Sequence, residues 1–456
     1  MKPLSLKEII SAVNAKCEFS GDLTVTGISS DTRTITKGDL FVALVGETFD
    51  GNDYVSVAQE NGAVAAICSK PVECDIPVLL VEDTLTALQS LAAYYRTLLG
   101  IKVVALTGSN GKTTTRDMTK AVLASKYKVY STEKNYNNEI GLPKTILSMD
   151  EGYDIAVLEM GMNHLGEISR LTNIAKPDVA MITNVGKAHI GNLGSQENIL
   201  KAKLEILEGL NPEGLVIFNG DDAYLRKAET GSFKKAFVGI NSDCGLTAKE
   251  IEVNGADTYY TAVFEGKEYR GSIPLIGNYN VLNSLEAMRC GLHFGITPDE
   301  AFKALQSYQS VGMRCEAEVI GGVTLVKDYY NASPDSSRVA LEALGDYTKG
   351  GKKLALLGEM LELGEYSAAE HKALGEMCLK NGVDYALFIG DDCASFKEGM
   401  PNSTVFPKAE RQQYAERIKA LVTEGRIKEG DAVLIKASRG TKMEDFYEVI
   451  KEALNK

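Results

Sequence analysis

The sequence predicts an α/β protein of three domains. These are a small N-terminal α/β domain, a central mostly parallel sheet with a phosphate loop, and a C-terminal Rossmann-like sheet. Three observations carry this reading. The chain of 456 residues is too long for one ordinary core, so roughly two to four domains are expected. Short apolar runs alternate with helical stretches from residue 101 on, and the alternation restarts in the last third. A Gly-rich turn stands between the first of those apolar runs and a helix.

Residues 1–98 mix short strands and helices: TVTGISSDTR, DLFVAL, a helix near YVSVAQENG, then AVAAICS. The first segment, with Glu8 inside its apolar pattern, reads as an amphipathic helix and not as a signal peptide. The run TALQSLAAYYRTLL is a helix stopped by Gly100, a C-cap and domain boundary. Residues 99–311 form the central domain, with apolar strands in IKVVALTG, DIAVLEMG, DVAMITNV and GLVIFNG. Its segment 232–273 is rich in β-branched and aromatic residues and predicts antiparallel edge strands. The helix VLNSLEAMRCGLHFG closes the domain. Residues 312–456 repeat the alternation in GVTLVKDYY, KLALLGEM, YALFIG and AVLIKAS.

Composition narrows the function. A net charge of −13 with no Lys/Arg-rich block argues against a nucleic-acid partner. No run of about 18 apolar residues occurs, so no membrane insertion is expected. Eight scattered cysteines without a C-x-x-C pair read as free thiols of a reducing compartment, which predicts a cytoplasmic location. A monomer is the default expectation.

Chemistry enters at Thr107–Thr115, TGSNGKTTT. Between a strand and a helix, Gly108, Ser109, Asn110 and Gly111 can turn successive N–H groups towards a polyphosphate at the helix N-terminus. Lys112 would reach the terminal phosphates, Thr113 would ligate Mg²⁺, and Thr114 continues the loop into the helix. Leu106 departs from G-x-x-x-x-G-K-[ST] at its first Gly. Glu159 and His189 each follow a buried strand. Ligands of open α/β sheets sit beyond those strand ends, so this pair suits a divalent cation shared with ATP. Lys203 lies on the helix ENILKAKLEILEGL, where a lysine is ordinarily a surface group.

These residues resemble the Mur ligase family. TGSNGKTTT looks like that family's phosphate loop, for which Leu106 is normal. NYNNEIGLP, LEMG with Glu159, AHIGNLGS with His189 and KAKLEI with Lys203 follow in the family's order. So do GNYNVLNS, the Gly312-Met313-Arg314 turn, DYYNASPDS, LGEMLELGE and KASRGTKME, and the N-terminal SSDTR with GDLFVALVGETFDG. Within the family, NYNNEIGLP, the Tyr-Asn-Ala-x-Pro run and LGEMLELGE look most like the D-alanyl-D-alanine-adding member. The D-N-P-R motif of the diaminopimelate-adding relative is absent. Tyr279 stands where His is common, and Ser333 where Asn is common.

The resemblance implies a three-domain, ATP-dependent amide ligase. Its substrates would be UDP-N-acetylmuramoyl-tripeptide, held by the first domain, and D-alanyl-D-alanine, held by the third. By motif, Lys112 and Thr113 would bind phosphates and Mg²⁺, with Glu159 and His189 on a second Mg²⁺. Lys203 would be the lysine found carbamylated in this family. Asn280 and Asn283 would face adenine, Arg314 the phosphates and Asp328 the ribose. Ser30, Asp31, Thr32, Arg33, Asn135, Asn137 and Asn138 would meet the UDP-muramoyl peptide. Residues 361–364 with Ser438 and Arg439 lie near the expected dipeptide site. The reaction would run through an acyl phosphate, with the third domain closing over the second. Three other readings stay open at this stage. A diaminopimelate- or lysine-adding ligase or a folylpolyglutamate synthetase would share the ATP site; a P-loop kinase or a nucleotide-binding switch would share only the loop.

Overall fold

The computed structural model describes residues 1–241, 243–309 and 312–456. The N-terminal unit opens with a two-residue ribbon, β1 (Leu4–Ser5) with β2 (Thr24–Val25), around the helix Leu6–Val13. Ser5 and Glu8 form a capping box there, which explains the acid inside the apolar pattern. Strands β3 (Gly27–Ser29), β4 (Asp39–Val42), β5 (Ala65–Cys68) and β6 (Val78–Leu80) form a parallel sheet in that order. The helix Thr84–Leu99 is capped by Asp83 and ends at Gly100 in the left-handed conformation, as its sequence predicts. It docks on the central unit: Tyr95 donates its hydroxyl to the Met149 carbonyl at 2.6 Å, and Arg96 Nε donates to Ala175 O at 2.7 Å. One apolar core therefore runs from Leu40 and Leu88 into Leu158 and Ile182 of the central sheet.

The central sheet has β7 (Lys102–Thr107), β8 (Val129–Ser131), β9 (Ile155–Glu159), β10 (Val179–Ile182), β11 (Leu215–Asn219), β12 (Lys234–Gly239), β13 (Leu246–Asn254), β14 (Asp257–Phe264) and β15 (Lys267–Ile273). Their order is β15-β14-β13-β12-β11-β10-β7-β9-β8. The chain leaves β7 towards β9 and β8 on one side, while β10 lies on the other, so a switch point falls at the end of β7. The antiparallel edge is smaller than expected. β12 pairs parallel with β11 and β13 parallel with β12; the antiparallel pairings are β13 with β14 and β14 with β15, so β14 alone runs against the sheet. The crossover through the helix Ala223–Lys227 returns β12 in the direction of β11, whereas tight turns such as Glu265–Gly266 fold β14 and β15 back as hairpins.

The helix Asn278–His293 does not close this unit. A second helix, Pro298–Gln306, follows it, started by a Thr297–Glu300 capping box with Pro298 in its first turn. The boundary expected at 311 and 312 cannot be placed to the residue, since 311 lies outside the described residues. The third sheet contains β16 (Glu316–Ile320), β17 (Val323–Lys327), β18 (Lys353–Gly358), β19 (Tyr385–Ile389), β20 (Thr404–Phe406) and β21 (Ala432–Lys436), ordered β16-β17-β21-β18-β19-β20. It is parallel except for the edge hairpin of β16 with β17.

Candidate active site at the switch point of the central sheet

The phosphate loop leaves β7 at Thr107 and enters the helix Lys112–Ala124. Gly108 and Gly111 have φ of +156° and +79°. A Cβ at Gly108 would stand 1.9 Å from Thr183 Oγ1, and one at Gly111 2.7 Å from Asn283 Oδ1, so neither position admits a side chain. The loop is tied to the segment after β10. Asn110 N donates to Asn184 Oδ1 at 3.0 Å, Gly186 N to Ser109 Oγ at 2.9 Å, and Thr183 Oγ1 to Asn110 O at 2.6 Å. Lys112 Nζ folds back on the loop and donates to Gly108 O at 2.8 Å. Burial pushes its ammonium below the usual lysine value, and the Glu159 carboxylate opposes that.

Glu159 ends β9 and is 3% exposed. Its Oε2 accepts from Thr113 Oγ1 at 3.0 Å and from Arg116 Nη1 at 3.3 Å, and its Oε1 from Asn137 Nδ2 at 2.8 Å. Arg116 sits one helical turn beyond Lys112 on the same face, a spacing from which its place beside the loop is readable. Arg116 is not among the site residues expected from the sequence. His189 lies beyond β10 with φ of +64°, and its Nδ1 stands 2.6 Å from Glu362 Oε2 of the third unit. The contact is close but oblique, since it misses the directional requirement of a hydrogen bond. That imidazole and the nearby Lys112 hold the Glu362 carboxyl below the ordinary range, the imidazole more strongly.

The opposite wall comes from the helix Asn278–His293 and from the third unit. Asn280 and Asn283 are buried, with Asn280 Nδ2 donating to Ile276 O at 2.9 Å. Tyr279, in the place where His is common, donates its hydroxyl to Cys315 Sγ at 3.0 Å. Arg314 stacks on the Tyr330 ring at 4.0 Å and is close enough to Lys112 to disfavour its charge. Lys436 Nζ meets Asp328 Oδ2 at 2.5 Å. Ser333 Oγ donates to Asn110 Oδ1 at 2.9 Å, bringing the third unit onto the phosphate loop. Together these groups enclose a cavity of about 400 Å³.

Of the residues expected from sequence, Ser109–Thr114, Asn135, Asn137, Asn138, Glu159, His189, Asn280, Asn283, Arg314 and Asp328 line this one cavity. Gly108 is not among the lining residues; it packs against Thr183. Ser30, Asp31, Thr32 and Arg33 do not line it. They form a turn in which Asp31 takes Arg33 as a fork, Nε at 2.9 Å and Nη2 at 2.7 Å. Those bonds lower the Asp31 carboxyl to about 2, with a smaller contribution from Lys144. Lys144 belongs to the helix Gly141–Leu147 that follows Asn138, so the turn lies near the helix that continues the asparagine loop.

Lys203 also stays out of the cavity lining. It is 1% exposed, and among the described residues its Nζ makes no hydrogen bond or ion pair. Burial, then the neighbouring Lys112, drive its ammonium well below the usual value, with Asp222 opposing. The reading of a helix lysine as a surface group is wrong here. Lys203 points inward because its helix presents Ile199, Ala202 and Lys203 to the core.

A Mg²⁺ site fits the donors present. Thr113, Glu159 and His189 line the same cavity, a donor set that suits one Mg²⁺ at Thr113 and a second at Glu159 and His189. Among the described residues no three His, Cys, Asp or Glu side chains converge, so phosphate oxygens and water must complete the coordination.

Three regions of the chain match models of one family. Residues 24–96 match the Mur ligase family catalytic domain, 106–291 the Mur ligase middle domain, and 313–439 the Mur ligase glutamate ligase domain. The chain is 38% identical over 454 residues to a UDP-N-acetylmuramoyl-tripeptide–D-alanyl-D-alanine ligase of Bacillus subtilis, covering 98% of both chains. A crystal structure of MurF from Acinetobacter baumannii superposes with a TM-score of 0.93 at 30% identity, covering 99% of both chains. The MurF ligase of Thermotoga maritima in complex with ADP superposes with a TM-score of 0.85 at 32% identity, covering 94% of this chain and 98% of that one.

Proposed function

The chain belongs to the Mur ligase family, and from that premise we propose that it adds D-alanyl-D-alanine to UDP-N-acetylmuramoyl-tripeptide, converting ATP to ADP and phosphate. This is an amide ligation in the synthesis of peptidoglycan precursors. The observation that carries the reading is a single cavity shared by the phosphate loop, Glu159 and His189 on one side and Arg314 and Asp328 of the third unit on the other. The D-alanyl-D-alanine ligase name of the 38% identical relative favours this acceptor over the diaminopimelate- or lysine-adding readings.

The chemistry follows from charge. The C-terminal carboxylate of the tripeptide attacks the γ-phosphorus of ATP, and ADP leaves from an acyl phosphate. The dipeptide amine then adds to the acyl carbon, and phosphate departs as the amide forms. Two anions must meet in the first step, so Lys112, Arg314 and the loop N–H groups neutralise the transferring group. Thr113 would hold one Mg²⁺ and Glu159 with His189 a second; when bound, these ions would offset the phosphate charge. Asn280 and Asn283 suit the adenine side, Asp328 the ribose. Asn135, Asn137 and Asn138, with the turn Ser30–Arg33 beyond them, suit the UDP-muramoyl peptide. Contacts from the third unit exclude water from an intermediate that water would hydrolyse.

Lys203 is suited to carry a carbamate. Burial and Lys112 disfavour its charged form, and as the amine it can take up CO₂ and lose one proton, becoming an anion. That would replace an unfavourable buried ammonium beside Lys112 with a charge of the opposite sign. All eight cysteines are free thiols and the substrates are cytoplasmic solutes, which supports work in the cytoplasm. No helix among the described residues is long and apolar enough to cross a membrane.

The test is to incubate the protein with ATP, Mg²⁺, UDP-N-acetylmuramoyl-tripeptide and D-alanyl-D-alanine, and to weigh the nucleotide-sugar product. A gain of one dipeptide less water supports the assignment. A product with diaminopimelate or lysine instead would move it to a sister reaction.

A further inference from the structure

Where β10 runs out, the chain makes a sharp turn at His189, whose φ of +64° is rare for a residue with a side chain. Facing it across the gap between the second and third units is Glu362, with φ of +65°. Each such backbone is strained by about 1 kcal/mol or more and persists where surrounding contacts demand it. The contacts are specific. Gly191 N donates to Glu362 O at 3.1 Å, and a Cβ on Gly191 would stand 2.6 Å from Gly364 N. The third unit clamps the other side of the same loop. Met360 N donates to His371 Nε2 at 3.0 Å, and Leu361 N to Ser438 Oγ at 2.9 Å.

The consequence is local. Glu362 Oε2 stands 2.6 Å from His189 Nδ1, while Glu362 itself does not line the cavity. His189 itself lines the cavity, and Nδ1 is the ring nitrogen turned to Glu362. A metal-holding histidine characteristically has a carboxylate or carbonyl behind its other nitrogen, which fixes the tautomer and aims the ring.

We propose that Glu362 is a positioning residue for His189: the third unit brings this carboxylate to 2.6 Å from Nδ1, where its charge favours the proton on Nδ1 and leaves Nε2 for the divalent cation. Closure of the third unit and retention of the cation are then linked, each favouring the other by the same factor. The inference rests on the reading of His189 as a metal ligand.

The experiment measures Mn²⁺ binding to the full chain in the presence of ADP, by electron paramagnetic resonance, for the parent and four variants. Glu362→Ala is expected to weaken Mn²⁺ binding about tenfold, the lower end for loss of such a partner. Glu362→Gln, whose amide oxygen can still accept from Nδ1, is expected to recover most of that loss. His189→Ala is expected to weaken binding at least as much as Glu362→Ala. Tyr366→Phe removes another contact between the units, Tyr366 OH to Gly194 O at 2.8 Å, without touching the imidazole, and is expected to bind Mn²⁺ like the parent. If His189→Ala binds normally, the metal reading fails. If His189→Ala is weakened but Glu362→Ala is not, the positioning claim fails alone. It also fails if Tyr366→Phe loses as much as Glu362→Ala, because loosened docking would then explain both.

Discussion

Ser333 and Asn110 are separated by 223 residues of chain, yet the Ser333 hydroxyl donates to Asn110 Oδ1 at 2.9 Å. The contact joins the start of a helix in the third unit to the phosphate loop of the second. It is not alone. Lys187 N donates to Asp335 Oδ2 at 2.6 Å, and Lys187 Nζ pairs with Glu370 at 2.6 Å. The described arrangement is therefore one in which the third unit covers the phosphate loop, as protection of an acyl phosphate requires.

Ser333 has two duties, since it also caps the helix Pro334–Ala343 by accepting from Ser336 N. Ser333→Ala is expected to lower stability by about 1 kcal/mol through the lost cap. It should also lower kcat/KM for ATP about fivefold through the lost contact to Asn110. Ser333→Asn keeps a capping side chain and should retain stability. Denaturant unfolding and steady-state kinetics check both; an unchanged kcat/KM in Ser333→Ala would show that the contact is not made during turnover.

Lys203→Ala is expected to abolish ligation, and bicarbonate should not restore it. Short carboxylic acids should restore part of the rate, because the missing group is an anion. Rates measured with and without formate or acetate check this, and full activity in the variant would exclude the carbamate.

Glu286 is buried in the helix beside the phosphate loop. Thr115 Oγ1 lies 3.4 Å from its Oε2, and its Oε1 has no hydrogen-bond partner among the described residues. Burial pushes its carboxyl up to about 8, from 4.5. The folded state thus holds this proton more tightly than the unfolded chain does. Its contribution to stability is complete below pH 4.5 and is lost as pH rises to 8, at about 1.4 kcal/mol per pH unit. Glu286→Gln should therefore gain on the parent in melting temperature between pH 5 and pH 9. An equal difference at both pH values would contradict the buried-acid account.

Lys436 and Asp328 form a buried pair in the wall of the cavity. Asp328→Asn leaves the Lys436 ammonium without its counter-charge and should cost about 3–5 kcal/mol of stability. Lys436→Met in the same chain should recover much of that, while ADP affinity stays low if Asp328 holds the ribose. Unfolding curves and ADP titrations of the single and double variants separate the two roles.

What the sequence reveals depends on how far apart the partners lie along the chain. Thr107 to Thr115 is legible because strand, turn, lysine and helix are contiguous, and the turn can do little else than cradle phosphate. Glu159 and His189 are legible because parallel sheets place ligands beyond their strand ends. Lys203 is legible only through the resemblance of KAKLEI, since helix position alone suggests a solvated lysine and only tertiary packing buries it. Glu362 is not legible, because it approaches His189 only after two sheets have folded and docked. The helix Pro298–Gln306 is not among the expected elements, although Thr297, Pro298 and Glu300 carry a plain capping signal. The parallel pairings of β12 and β13 depart from the expected antiparallel edge because β-branched composition does not report strand direction.

The most direct measurement is phosphate release from ATP with UDP-N-acetylmuramoyl-tripeptide, with and without D-alanyl-D-alanine. The account predicts sustained release only when both are present, one phosphate for each amide formed. Release that is indifferent to the dipeptide, or that appears only with a single amino acid on its own acceptor, would contradict it.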